Sequence, residues 1–149
     1  NHSVRPALLH KLVTHIHAPL NVEAMIQAAS KFEGTHNFES FRAAACQSNQ
    51  PVRTVSHCRL IQHGCYLVLD IQADGFLHHM VRNIMGCLLE VGQGMYSLEH
   101  IDTIFAAEDR SAAGVTAPPD GLYFIHADYP EQFQLPKIPL GPHWLNMPE

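Results

Sequence analysis

Between Leu77 and Val91 the apolar residues Leu77, Met80, Val81, Ile84, Met85, Leu88 and Val91 recur at intervals of three and four. This spacing predicts a helix with one buried face, which needs a second layer of structure to cover it. Arg82 and Asn83 are predicted on the opposite face, within the first two turns. A cation there sits near the positive end of the helix dipole, at a cost of a few tenths to about 1 kcal/mol unless an anion compensates. The arginine is therefore either solvated or facing a negative partner. Just upstream, Val52–Gln62 and Cys65–Ala73 flank His63-Gly64 and read as a β-hairpin.

The chain has 149 residues, enough to bury a real core, and 46% of them are apolar. No apolar run approaches the ~20 residues that span a bilayer, so no membrane partner is expected. No charged-then-apolar leader is visible, and the start at Asn1 suggests a fragment or processed product. The four cysteines, Cys46, Cys58, Cys65 and Cys87, form no CxxC pair and read as reduced thiols of a cytoplasmic protein. The twelve histidines are scattered without the i, i+4 spacing of a zinc site, so no metal is expected.

The net charge of −5 argues against a generally basic nucleic-acid binder. Its distribution is uneven. Residues 1–33 and 34–87 each carry a net +1, and residues 88–149 carry −7. An anionic ligand should therefore meet the middle of the chain, where Arg42, Arg53, Arg59 and Arg82 lie. In the first hairpin strand Arg53, Val55, His57 and Arg59 are predicted to share a face as a modest basic stripe.

Elsewhere, Leu12–His17 reads as a short strand. Val22–Phe32 reads as a helix capped by Asn21 and ended by Gly34, with Met25, Ile26 and Ala29 on one face. Thr35–Ser40 reads as a loop, and Phe38 and Phe41 as anchors of a short helical turn. Ser97 is predicted to cap a helix reaching about Ala107. Ala112–Asp120 reads as a loop and Leu122–Asp128 as an apolar strand. The Pro-rich tail, 129–149, is predicted to run extended. Phe38, Phe41 and Phe76 are expected in the core. No repeat, long linker or second domain is visible, so residues 1–149 read as a single domain.

Four stretches carry a family resemblance: Asn37-Phe38-Glu39-Ser40-Phe41-Arg42, Cys46-Gln47-Ser48, Phe76-Leu77-His78-His79-Met80-Val81-Arg82-Asn83 and Gly121-Leu122-Tyr123. Together with the Leu-Pro-Lys-Ile-Pro-Leu-Gly-Pro tail, they resemble the C-terminal half of the TruA family of tRNA pseudouridine synthases. The resemblance implies an α/β (α+β) fold, a largely antiparallel sheet with helices packed on one face. It implies isomerisation of uridine to pseudouridine at positions 38–40 of the tRNA anticodon stem-loop, with no cofactor or metal. It also implies a homodimer with tRNA lying across both subunits.

The family's nucleophilic aspartate lies in an Arg-Thr-Asp-Ala-Gly-Val-His-Ala-like motif of the N-terminal half, and an active-site tyrosine in a Tyr-Arg-Tyr motif; neither is present here. Arg110-Ser111-Ala112-Ala113-Gly114-Val115-Thr116-Ala117 reads like the nucleophile motif, but Ala112 stands at the aspartate position. Asp70, Asp74 and Asp120 fit strand and turn positions. The chain is thus predicted to be inactive without its missing N-terminal half.

By the resemblance, Arg82 matches the arginine that pairs with the nucleophile, holding a carboxylate ionised and oriented. Leu122 matches a leucine lining the uracil pocket. Ala45, Cys46, Gln47, Ser48 and Asn49 match a segment touching tRNA, and Arg42 is a candidate phosphate contact. Read without the resemblance, Arg82 is a solvated helix residue, Leu122 a core strand residue and 45–49 a polar turn. A non-catalytic RNA-binding module or a dimerisation domain is the alternative function.

Overall fold

The computed structural model describes residues 1–2, 4–135, 141–142 and 145. Helix α1 (Val22–Ser30) begins at Asn21, whose Oδ1 accepts the Ala24 N–H at 3.1 Å. Strands β1 (Gly34–Asn37), β2 (Val52–His63) and β3 (Tyr66–Ala73) form an antiparallel sheet in the order β1-β2-β3. A short 3₁₀ turn over Glu39–Phe41 links β1 to the loop before β2. Helices α2 (Met80–Gly92) and α3 (Leu98–Ala107) follow, then a 3₁₀ turn over Arg110–Ala113. No described helix is long and apolar enough to cross a membrane.

The core is one cluster. Helix α1 lies on β2 and also packs against α2, joined by the Asn21 N–H, which donates to the Gly92 carbonyl at 2.7 Å. Phe32, Phe38 and Phe41, all with no solvent exposure, meet Phe105 at ring-centroid separations of 5.2–5.5 Å, and Phe41 meets Phe32 at 5.2 Å and Phe38 at 6.1 Å. The edge-on and tilted geometries match the ring quadrupoles, beyond the simple burial of their area. Phe38 and Phe41 anchor the short turn as the spacing predicts.

Several sequence expectations fail for identifiable reasons. Residues 34–37 are strand β1, not loop, because Gly34 supplies φ +101° at its start and β2 offers a free edge. On α1 the buried set is Met25, Ala28 and Ala29, and Ile26 faces outward at 38% exposure. The predicted stripe on β2 is broken by a bulge between Val55 and His57. The extra residue resets the alternation, so Val55, Cys58 and Leu60 enter the core while His57 and Arg59 stay outside. Beside the bulge the Cys58 N–H donates to Glu33 Oε1 at 3.0 Å.

Leu12–His17 and Leu122–Asp128 form no ladder. In the second of these, Leu122, Phe124 and Ile125 are exposed, Phe124 by 83%. Phe76 is likewise exposed rather than in the core. In the tail, Glu131–Phe133 forms a 3₁₀ turn instead of running extended. Positions 136–140, 143–144 and 146–149 of that tail lie outside the described residues.

The largest departure is α2. Its stripe predicts one buried face, but Asn83, Gly86, Leu89 and Glu90 are buried along with Met80, Ile84, Cys87 and Leu88. The helix starts at Met80 rather than Leu77 and is covered by α1, the 39–41 turn and the 110–117 segment. Asn83 is therefore not an outward residue. Its fully buried amide donates from Nδ2 to the Phe41 carbonyl at 2.7 Å.

Candidate functional site

The N-terminal end of α2 gathers most of the candidate residues. Its preceding residue, His79, adopts the left-handed conformation with φ 61° and gives no side-chain cap, and the first turn contains no acid. Arg82 stands in that turn. Its Nε–H donates to the Ala117 carbonyl at 2.8 Å, and Nη1 lies 3.1 Å from His79 Nε2. The Ala117 N–H donates in return to the Arg82 carbonyl at 3.1 Å. Arg82 is half-buried and makes no ion pair among the described residues, and its Nη2 has no hydrogen-bond partner among them. The positive helix end and this guanidinium thus reinforce one another. Burial lowers the His79 pKa below its ordinary value, and the neighbouring His78, Arg82 and Arg110 push it further down.

The loop matched to tRNA contact is fastened to the same helix entry. The Ala43 N–H donates to the His78 carbonyl at 3.0 Å, and the His78 N–H donates to Cys46 Sγ at 3.3 Å. Arg42 donates from Nη1 to the Ser48 carbonyl at 2.8 Å and pairs with Glu39. Arg53 donates from Nη2 to Ser48 Oγ at 2.9 Å. Both arginines therefore shape the loop while leaving part of their charge at its rim. Ala45, Cys46, Gln47 and Ser48 line an open cleft of about 450 Å³ together with Phe76 and His78.

The hydrogen bond from the His78 backbone lowers the Cys46 thiol pKa, aided by Ser48 and by the charges of Arg42 and Arg53. Burial instead raises the pKa of Cys58 and of Cys87 to about 12. A thiol at that value is ionised to only roughly one part in 10⁴ at pH 8. Iodoacetamide at pH 8 is therefore expected to label Cys46 at least about 10²-fold faster than Cys58 or Cys87. Mass spectrometry of timed digests checks this, and equal rates would contradict the described thiol environments.

Leu122 closes a turn that begins at Pro119. Its N–H donates to the Pro119 carbonyl at 3.2 Å and its side chain is 52% exposed. Asn49 continues the polar loop toward β2. Three residues were given no site role by the sequence reasoning. Arg110, Asn83 and Thr116 form a polar cluster behind Arg82, with Arg110 Nη2 donating to Thr116 Oγ1 at 2.7 Å and to Asn83 Oδ1 at 3.1 Å. The available signal was the Arg110–Ala117 octapeptide, whose small residues suit a tight approach to a helix. No group of three or more histidine, cysteine or acidic side chains suited to a metal occurs among the described residues.

These features define an α+β domain in which an arginine without a carboxylate partner among the described residues and an open cleft share the entry to one helix. A family profile for tRNA pseudouridine synthase matches residues 28–130, and the chain belongs to that family. It is 81% identical over 145 residues to the tRNA pseudouridine synthase A of Acinetobacter baumannii (strain AYE), covering 97% of this chain and 55% of that protein. It is 76% identical to the Acinetobacter baylyi protein of the same name and 51% identical to that of Aeromonas hydrophila, covering 97% of this chain and 54% of each. The chain thus spans about half the length of the curated relatives it matches.

Proposed function

We propose that this chain forms a single domain that supplies one half of an enzyme isomerising uridine to pseudouridine at positions 38–40 of the tRNA anticodon stem-loop. The observation that carries the reading is Arg82, a half-buried guanidinium with an open Nη2 and no acid in the first turn of its helix. A carboxylate from outside these 149 residues would complete it. The Arg–carboxylate pair keeps the nucleophile ionised and aimed. In the reaction the N1–C1′ bond breaks, the uracil turns, and a C5–C1′ bond forms. C5 loses a proton and N1 gains one, so the product is an isomer and the balance calls for no redox partner.

In this reading Leu122 lines the uracil pocket. Arg42, Ala45, Cys46, Gln47, Ser48 and Asn49 meet the anticodon stem-loop, with the arginine against phosphate. The exposed apolar run at Leu122, Phe124 and Ile125 supports a docking face for the missing half. The complete enzyme acts as a cytoplasmic homodimer with tRNA across both subunits.

The test uses unmodified tRNA. The isolated chain is expected to form no pseudouridine. A chimaera in which it replaces the matching 145 residues of the A. baumannii relative is expected to form it at positions 38–40. Activity of the isolated chain, or a folded but inactive chimaera, would overturn the reading.

A further inference from the structure

Like Arg82, Arg110 makes no ion pair among the described residues. Its three hydrogen bonds all go to neutral oxygens. Nη1 donates to the Gly114 carbonyl at 2.9 Å, and Nη2 donates to Thr116 Oγ1 at 2.7 Å and to Asn83 Oδ1 at 3.1 Å. Thr116 Oγ1 also donates to Asn83 Oδ1 at 2.7 Å. Asn83 is itself anchored, through its buried amide, to the Phe41 carbonyl. One planar side chain therefore ties both ends of the 114–116 loop to a fixed point on α2.

The residues next in sequence to these anchors are the ones that matter. Ala117 follows Thr116, and Arg82 precedes Asn83. They are joined by the reciprocal pair Ala117 N–H to Arg82 carbonyl and Arg82 Nε–H to Ala117 carbonyl. The loop's position on the helix thus decides where the Ala117 carbonyl stands. That carbonyl decides which way the Arg82 guanidinium turns.

We infer that Arg110 is a positioning residue: by bracing Gly114 and Thr116 against Asn83 it fixes the Ala117 carbonyl and so aims Arg82. The inference rests on the proposed role of Arg82 for its catalytic meaning, and on the hydrogen-bond geometry alone for its structural content. Lysine is no substitute, because a point charge on a flexible stem cannot reach the Gly114 carbonyl and the Asn83–Thr116 pair at once in fixed geometry. A displacement of about 1 Å in a group next to reacting atoms lowers turnover on the order of 10²-fold.

The experiment uses the chimaera with Arg110→Gln, Arg110→Lys and Thr116→Val. The Arg82 Nε–H resonance and the kcat and KM for unmodified tRNA are read together. The expected result is a shifted or broadened Arg82 signal in all three variants, and kcat about 10²-fold lower in both Arg110 variants with KM little changed. An unchanged Arg82 resonance in a folded variant would overturn the inference. A displaced resonance with full turnover would leave Arg110 as the positioning residue and instead overturn the catalytic reading of Arg82. If both Arg110 variants fail to fold, Thr116→Val, which keeps the side chain's size and every charge, decides by the Arg82 resonance.

Discussion

Arg82→Lys in the chimaera is expected to lower kcat about 10²–10³-fold with little change in the KM for tRNA. The argument is one of donors. Arg82 spends Nε on the Ala117 carbonyl and has Nη1 beside His79, which leaves Nη2 for a third partner. A lysine keeps the charge but cannot hold the loop carbonyl and a carboxylate in one plane. In the role proposed for Arg82 the lost interaction is with the reacting centre, so the deficit belongs in turnover rather than in tRNA affinity. Single-turnover kinetics on unmodified tRNA measures it. A variant that loses only affinity would make Arg82 a phosphate contact.

Gly86→Ala is expected to destabilise the fold by about 3 kcal/mol or more, against the general trend. In a helix interior, alanine in place of glycine ordinarily stabilises by about 1 kcal/mol. At Gly86, however, an added Cβ would stand 1.8 Å from the Val115 carbonyl oxygen and 3.3 Å from the Ala117 nitrogen. Both are backbone atoms, so the whole 115–117 segment would have to lift from α2. The expected fall in Tm is about 6–12 °C for a chain of this size, read by thermal unfolding. Gly92 is the comparison, since its added Cβ would meet side-chain atoms of Met25 and Leu20 rather than backbone, and a smaller loss is expected there. A Gly86→Ala protein as stable as the parent would mean that the loop does not sit on the helix as described.

The hairpin, the caps at Asn21 and Ser97, and the Phe38–Phe41 turn were legible in the sequence because each rests on a local pattern. The Ser97 hydroxyl, for example, accepts the His100 N–H at 3.3 Å, as its position before an apolar run implies. What was not legible depends on partners distant in the chain. Asn83 reads as outward from helical spacing alone, and it is enclosed by the Phe41 turn on one side and by the return of residues 110–117 over α2 on the other. The β2 bulge is likewise invisible in a pattern of alternation, because nothing in Val55-Ser56-His57 announces a doubled residue. Leu122–Asp128 has the composition of a strand but forms no ladder in the structure.

The site was legible in a different way. Arg82 stood out because its charge opposes the helix end, and the residues around it emerged only from the fold. Arg110 lay in plain view within an octapeptide that drew attention for the aspartate it lacks. Its structural role comes from reaching back 27 residues to Asn83.

The left-handed backbone at His79 has a consequence for any attempt to make this protein sturdier. A side chain bearing a Cβ holds that conformation at a cost on the order of 1 kcal/mol, which glycine would escape. Glycine would also delete the imidazole that flanks Arg82 and restrains its Nη1. Selection for heat resistance alone would therefore favour a change that loosens Arg82. Robustness and the proposed use of Arg82 are set against each other at a single residue.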